Sequence, residues 1–149
     1  MDWKIARVLP SARNHIELNL SIFVVDDDPG ALNSLRFLLE SEGYTVVTFR
    51  NGRDLLAIFP EADPSCVVID YKMPNMNGLE VFLRLRQLEI DVPVILVTGH
   101  PDPLIRRKAR EAGVELIEKP LSQDVLLAAI KATRATSPSA KNQEIGSST

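Results

Sequence analysis

Short apolar runs recur along the chain, and each is followed by a turn signal and then a helical stripe. SIFVV (21–25), CVVI (66–69) and PVILV (93–97) are apolar after their first position. YTVVTF (44–49) alternates weakly, and VELIE (114–118) is a shorter version of the same kind. Strands without a polar face are buried on both sides, which is the signature of a parallel sheet. The intervening stripes read as helices. They run through Leu32, Leu35, Leu38 and Leu39, through Leu55, Leu56 and Phe59, and through Leu79, Phe82, Leu83, Leu85 and Leu88. A polar, basic helix is expected over PDPLIRRKAREAG (101–113) and an amphipathic one over SQDVLLAAIKATRA (122–135). The punctuation agrees. Asp28-Pro29 is a carboxylate cap followed by proline at the first helical position. Gly43 and Gly113 close helices, Asn51-Gly52 reads as a turn, Pro60 stops the second helix, and Ser122 caps the last. Five βα units in succession give an α/β fold, a doubly wound five-stranded parallel sheet flanked by five helices.

A chain of 149 residues is one domain of ordinary size. Its expected bounds are 21–135. Residues 1–20 are poorly patterned and read as a flexible N-terminal extension, although Trp3, Ile5, Val8 and Leu9 would also suit a short ordered arm. Residues 136–149, TSPSAKNQEIGSST, read as a disordered tail. A net charge of −3 does not suit a protein that coats nucleic acid or an anionic membrane. No apolar run is long enough to span a bilayer, and the N-terminus lacks the continuous apolar core of a secretory signal. The single cysteine, Cys66, excludes an intrachain disulfide and reads as a small core residue. The chain is expected to be cytoplasmic.

Open parallel sheets bind ligands at the carboxyl ends of their strands. There the sequence places Asp26 and Asp27 after the first strand and Asp70 after the third. Thr98 follows the fourth strand and Lys119 the fifth. Converging carboxylates form a hard oxygen site suited to Mg²⁺ or Mn²⁺. A hydroxyl and an ammonium beside them suit phosphoryl oxygens. Asp28 already caps the first helix, so Asp26 and Asp27 need another reason to be there.

The runs VVDDDP (24–29), VVIDYKMPNMNG (67–78), PVILVTGH (93–100) and EKP (118–120), in this order, closely resemble the receiver domain of bacterial two-component response regulators. The TGH and EKP variants resemble regulators of the nitrogen-fixation and nitrate-response type. The resemblance implies a flavodoxin-like sheet of order 2-1-3-4-5. It implies that Asp70 is the phospho-acceptor, attacking a sensor histidine kinase's phosphohistidine. Mg²⁺ would be held by Asp27, Asp70 and the backbone carbonyl of Lys72, with Asp26 acting through water. Thr98 and Lys119 would bind the phosphoryl group, and the Lys119-Pro120 bond would be cis. Such a chain is not a conventional enzyme. It switches a protein-interaction surface for an unknown downstream protein, as a monomer or weak dimer, and does not bind DNA alone.

Two departures stand out. Leu116 occupies the family's aromatic switch position, and the segment from Gly113 to Lys119 is one residue short. The conformational response is therefore expected to be muted or to use other residues. No output domain is recognisable after the last helix, which leaves a single-domain regulator or a piece of a larger one. His100 and Lys72 each suit either a role in tuning water access or a plain loop position. Arg106, Arg107, Lys108 and Arg110 form a basic run whose default is a solvated face. Two other functions compete. A phosphohydrolase of the haloacid-dehalogenase type would use Asp26 and Asp28 as its D-x-D pair, but lacks the hydroxyl and acidic pair it needs. A receiver-like interaction module that is never phosphorylated would not need the full acidic set.

Overall fold

The structure is a computed structural model that describes residues 20–100 and 102–135. The chain runs β1 (Ser21–Val25), α1 (Pro29–Ser41), β2 (Thr45–Phe49), α2 (Gly52–Ala57), β3 (Cys66–Asp70), α3 (Gly78–Gln87), β4 (Val94–Thr98), α4 (Pro103–Ala112), β5 (Glu115–Glu118) and α5 (Gln123–Ala135). The strands form one five-stranded sheet in the order β2-β1-β3-β4-β5, and every pairing is parallel. This is the expected architecture and strand order. The expected extension and tail lie outside the described residues, except Leu20, whose carbonyl accepts from Thr45 N–H at 3.1 Å and so already belongs to the sheet margin.

Alternation along each strand divides the core in two. Phe23, Val25, Val67, Ile69 and Leu96 face α2 and α3, meeting Leu55, Val81, Phe82 and Leu85. Ile22, Val24, Val68, Ile95 and Val97 face α1 and α5, meeting Leu32, Leu35, Leu39, Leu126 and Ile130. Cys66 belongs to this second layer and is fully buried. Each fully buried leucine or isoleucine adds about 2 kcal/mol of transfer free energy.

Local signals fix where the helices begin. The Asp28 carboxylate accepts from Gly30 N–H at 3.0 Å, with Pro29 in the first turn. Asn77 and Glu80 form a reciprocal capping box with both bonds at 2.8 Å. Asp102 caps α4 through Leu104 N–H at 2.9 Å, and Ser122 Oγ accepts from Val125 N–H at 3.2 Å. The basic helix begins at Pro103, and its expected first residue, Pro101, lies outside the described residues.

Asn51-Gly52 is not a free turn as the dipeptide suggests. Asn51 Oδ1 accepts from Asp54 N–H at 2.8 Å and caps α2, with Gly52 as its first residue. Glycine is needed there because an added Cβ would lie 2.4 Å from Val81 Cγ2 on α3. The Lys119-Pro120 bond is cis as the resemblance implies, and so is Phe59-Pro60, which the sequence reading did not anticipate.

Candidate functional site

Because β1 and β3 are neighbours, the residues at their carboxyl ends meet. Asp26 and Asp27 follow β1, and Asp70 is the last residue of β3. One carboxylate oxygen from each of the three lies within 4.8 Å of the others. Asp26 and Asp70 are buried, whereas Asp27 is exposed. Asp26 is held at both ends: its N–H donates to Phe49 O at 3.1 Å, and its Oδ1 accepts from Asp28 N–H at 3.0 Å.

Lys119 reaches this cluster from the far side of β4. Its stem passes Gly99, where an added Cβ would stand 3.6 Å from Lys119 Cδ. Its ammonium lies 3.1 Å from Asp70 Oδ1 and 3.7 Å from Asp26 Oδ2. The Lys119 N–H donates to Thr98 O at 2.8 Å, tying the lysine to the end of β4. Lys119 is thus an ion-paired residue of the site and not a solvated surface lysine.

Thr98 stands at the same rim, but its hydroxyl bonds to the His100 main chain and not to the carboxylates. Asp70 pairs in register with Val97, so Thr98 is one residue further along the neighbouring strand. Its side chain is buried, and its Oγ1 accepts from His100 N–H at 3.1 Å. His100 and Lys72 have exposed side chains in the loops after β4 and β3. Leu116 is partly buried and packs against the core layer that holds Ala109 and Val114. In the β3–α3 loop Met73 is buried in the same core layer, and Met76 is partly buried against that layer.

Three carboxylates face one ammonium, and the titration behaviour reflects this. Burial pushes the Asp26 carboxyl above its ordinary 3.8, outweighing the Asp28 N–H bond that favours the charged form. Burial raises Asp70 in the same way, outweighing its hydrogen bond and attraction to Lys119. For Lys119 the balance reverses. Burial would lower it, but pairing with Asp70 and Asp26 together holds it above its ordinary 10.5. Excess negative charge on buried hard oxygens fits a divalent cation of the Mg²⁺ type.

A contributor that the motif reading left without a role is Gly78. Its N–H donates to Tyr71 O at 2.8 Å. A Cβ on it would fall 2.6 Å from the main-chain carbonyl oxygen of Asp70, so only glycine lets α3 close onto the strand end that carries Asp70. The glycine was visible in the run MPNMNG, but the contact that requires it is long-range in space.

A family model for the response regulator receiver domain matches residues 22–131. The chain is 36% identical over 126 residues to the transcriptional regulatory protein FixJ of Bradyrhizobium diazoefficiens, covering 83% of this chain and 62% of that protein. It is 36% identical over 124 residues to nodulation protein W of the same organism, covering 83% of this chain and 54% of the relative. The chain therefore spans only about half to three-fifths of these relatives. Among solved structures, FixJ-N matches with a TM-score of 0.72 at 33% identity, over 76% of this chain and 92% of that one. A response regulator receiver domain protein from Clostridium thermocellum matches at 0.73 and 30% identity, over 78% and 94%.

Proposed function

The chain belongs to the response regulator receiver domain family, and we propose that it accepts a phosphoryl group on Asp70 from a sensor histidine kinase. The observation that carries this reading is the 3.1 Å contact between Asp70 Oδ1 and Lys119 Nζ inside a cluster of three carboxylates. A carboxylate is repelled by an anionic phosphoryl donor, and the site opposes that repulsion with fixed positive charge. An Asp70 oxygen bonds to phosphorus while the phosphorus–nitrogen bond of phosphohistidine breaks, and the imidazole leaves with the bonding pair. Lys119 is placed to hold one phosphoryl oxygen. Thr98 would hold another after giving up its bond from His100 N–H.

Asp26, Asp27 and Asp70, with the main-chain carbonyl of Lys72, are the residues that would hold Mg²⁺ or Mn²⁺. When bound, such an ion supplies the positive charge that three clustered acids lack. Asp26 then serves to orient the pocket, since its own main chain and side chain are both tied down.

The test is labelling by acetyl phosphate in Mg²⁺, followed by mass mapping. One phosphoryl group on Asp70, lost on chelation and in Asp70→Asn, is the expected result. Label on Asp26 would instead favour haloacid-dehalogenase chemistry, which neither the family match nor the buried, tied-down Asp26 supports. The output is protein contact in this reading, so the isolated chain leaves DNA unshifted in a gel-retardation assay. Among the described residues no helix is long and apolar enough to cross a membrane. We place the protein in the cytoplasm, where the one buried thiol is at home.

A further inference from the structure

We propose that the ion pair between Arg106 and Glu118 is the link through which the state of the acidic pocket is passed to α4. The inference rests on Asp70 being the phospho-acceptor and adds to it the route by which a neighbouring element responds.

The starting observation is how lightly α4 is held. Of its ten residues only Ala109 is buried. The equally long α3 buries Gly78, Leu79, Val81, Phe82 and Leu85. A helix with so little apolar anchoring lies at the low-stability end of the fold, where small changes in its few ties move it. Between α4 and β5 lies an open cleft of about 290 Å³. Ala109, Val114 and Leu116 form its apolar lining, and Arg106 and Glu118 line it as well. A filled contact would resist displacement, because close-packed interiors transmit strain stiffly. An unfilled cleft leaves α4 free to follow its polar tie.

That tie is well placed. The Arg106 guanidinium pairs with the Glu118 carboxylate, and among the described residues this ion pair joins α4 to the sheet. Glu118 is the last residue of β5 and pairs in register with Thr98. The next residue is Lys119, whose ammonium holds Asp70 and Asp26 and whose N–H holds Thr98 O. The two side chains that would grip a phosphoryl group, Thr98 and Lys119, therefore converge on the rung that carries Glu118. Any shift of that rung displaces the carboxylate that Arg106 grips. Both side chains are partly exposed, so the tie is weak and a small displacement of the carboxylate is enough to alter it. Arg107, Lys108 and Arg110 are exposed on the same helix, and Arg110 and Glu115 also line the cleft.

The experiment records amide ¹⁵N spectra of the full chain in Mg²⁺ before and after adding beryllium fluoride as the phosphoryl analogue. It compares wild type, Arg106→Gln and the charge swap Arg106→Glu with Glu118→Arg. In wild type, peaks should move at the rim, including Asp70, Thr98 and Lys119, and along 103–112. In Arg106→Gln the rim should respond as before while the displacement along 103–112 falls at least twofold. The swap should restore it. An α4 response unchanged in Arg106→Gln, a response absent from α4 in wild type, or one that stays lost in the swap would each overturn the proposal. A silent rim in wild type would instead sink the phospho-acceptor reading beneath it, so the two failures are told apart.

Discussion

Asp26 is buried beside two other carboxylates, and the bond from Asp28 N–H and the Lys119 ammonium do not offset what burial costs its charged form. Its folded pKa lies above 3.8, so the favourable contribution of its protonated form is complete below 3.8 and is lost as pH rises through the folded value. In chelator at pH 7, Asp26→Asn should therefore raise stability by on the order of 1 kcal/mol, a few degrees in Tm. The gap should close as pH is taken below 3.8, where the wild-type side chain is already neutral in both states. Scanning calorimetry across pH checks this, and a gap that widens in acid would contradict it. Gly78 makes a second prediction at this scale. Gly78→Ala forces a methyl against the Asp70 carbonyl and should destabilise by roughly 1–3 kcal/mol. Acetyl phosphate labelling should fall with it, because the strand end that presents Asp70 must shift. That Asp26, Asp27, Asp70, Thr98 and Lys119 gather at one rim of the sheet was legible because each lies at or just past the carboxyl end of a strand. What could not be read was that Thr98 turns toward the His100 main chain, since rotamer choice leaves no mark in the sequence.

Between α3 and β4, one side chain staples an entire connection. Arg86 Nη1 donates to Ile90 O at 2.7 Å and Nη2 to Val92 O at 2.8 Å, with the guanidinium 4.5 Å from the centre of the Phe82 ring. Burial lowers its pKa, against the attraction of Asp91. Arg86→Ala leaves two main-chain carbonyls without these donors and should cost about 2 kcal/mol in urea unfolding. Arg86→Lys should recover little of it, because an ammonium cannot serve both carbonyls and the ring in one plane. Elements with strong local signals were readable in advance: Asp28-Pro29 and Gly113 mark helix ends where the structure has them. Asn51-Gly52 was misread because the same dipeptide suits a turn and a helix start, and only α3 packing against Gly52 decides between them. The Arg106–Glu118 pair was invisible for a related reason. It depends on the phase of α4 against β5, and a solvated basic face is what four cations in five residues ordinarily mean.

At the scale of the molecule, the strand order follows from family resemblance and the layering from hydrophobic pattern alone. Apolar strands whose residues point alternately to either side require two covered faces, and the five helices supply them. Cys66 offers a gauge of the whole. It is fully buried, and burial pushes its thiol up to about 12. Near neutral pH an aromatic disulfide reagent should modify it only through global opening, and Mg²⁺ should slow modification by the factor by which it stabilises the fold. Fast modification that ignores Mg²⁺ would show a local opening at the start of β3 instead. The division of the core also has an experimental consequence. Val24 and Val25 are consecutive, yet Val25 belongs to the layer under α2 and α3 and Val24 to the layer under α1 and α5. Val67 and Val68 split in the same way. A sample with ¹³C only in valine methyls would therefore carry two built-in sets of reporters, one for each side of the molecule, and would reveal which side receives a signal that begins at the rim.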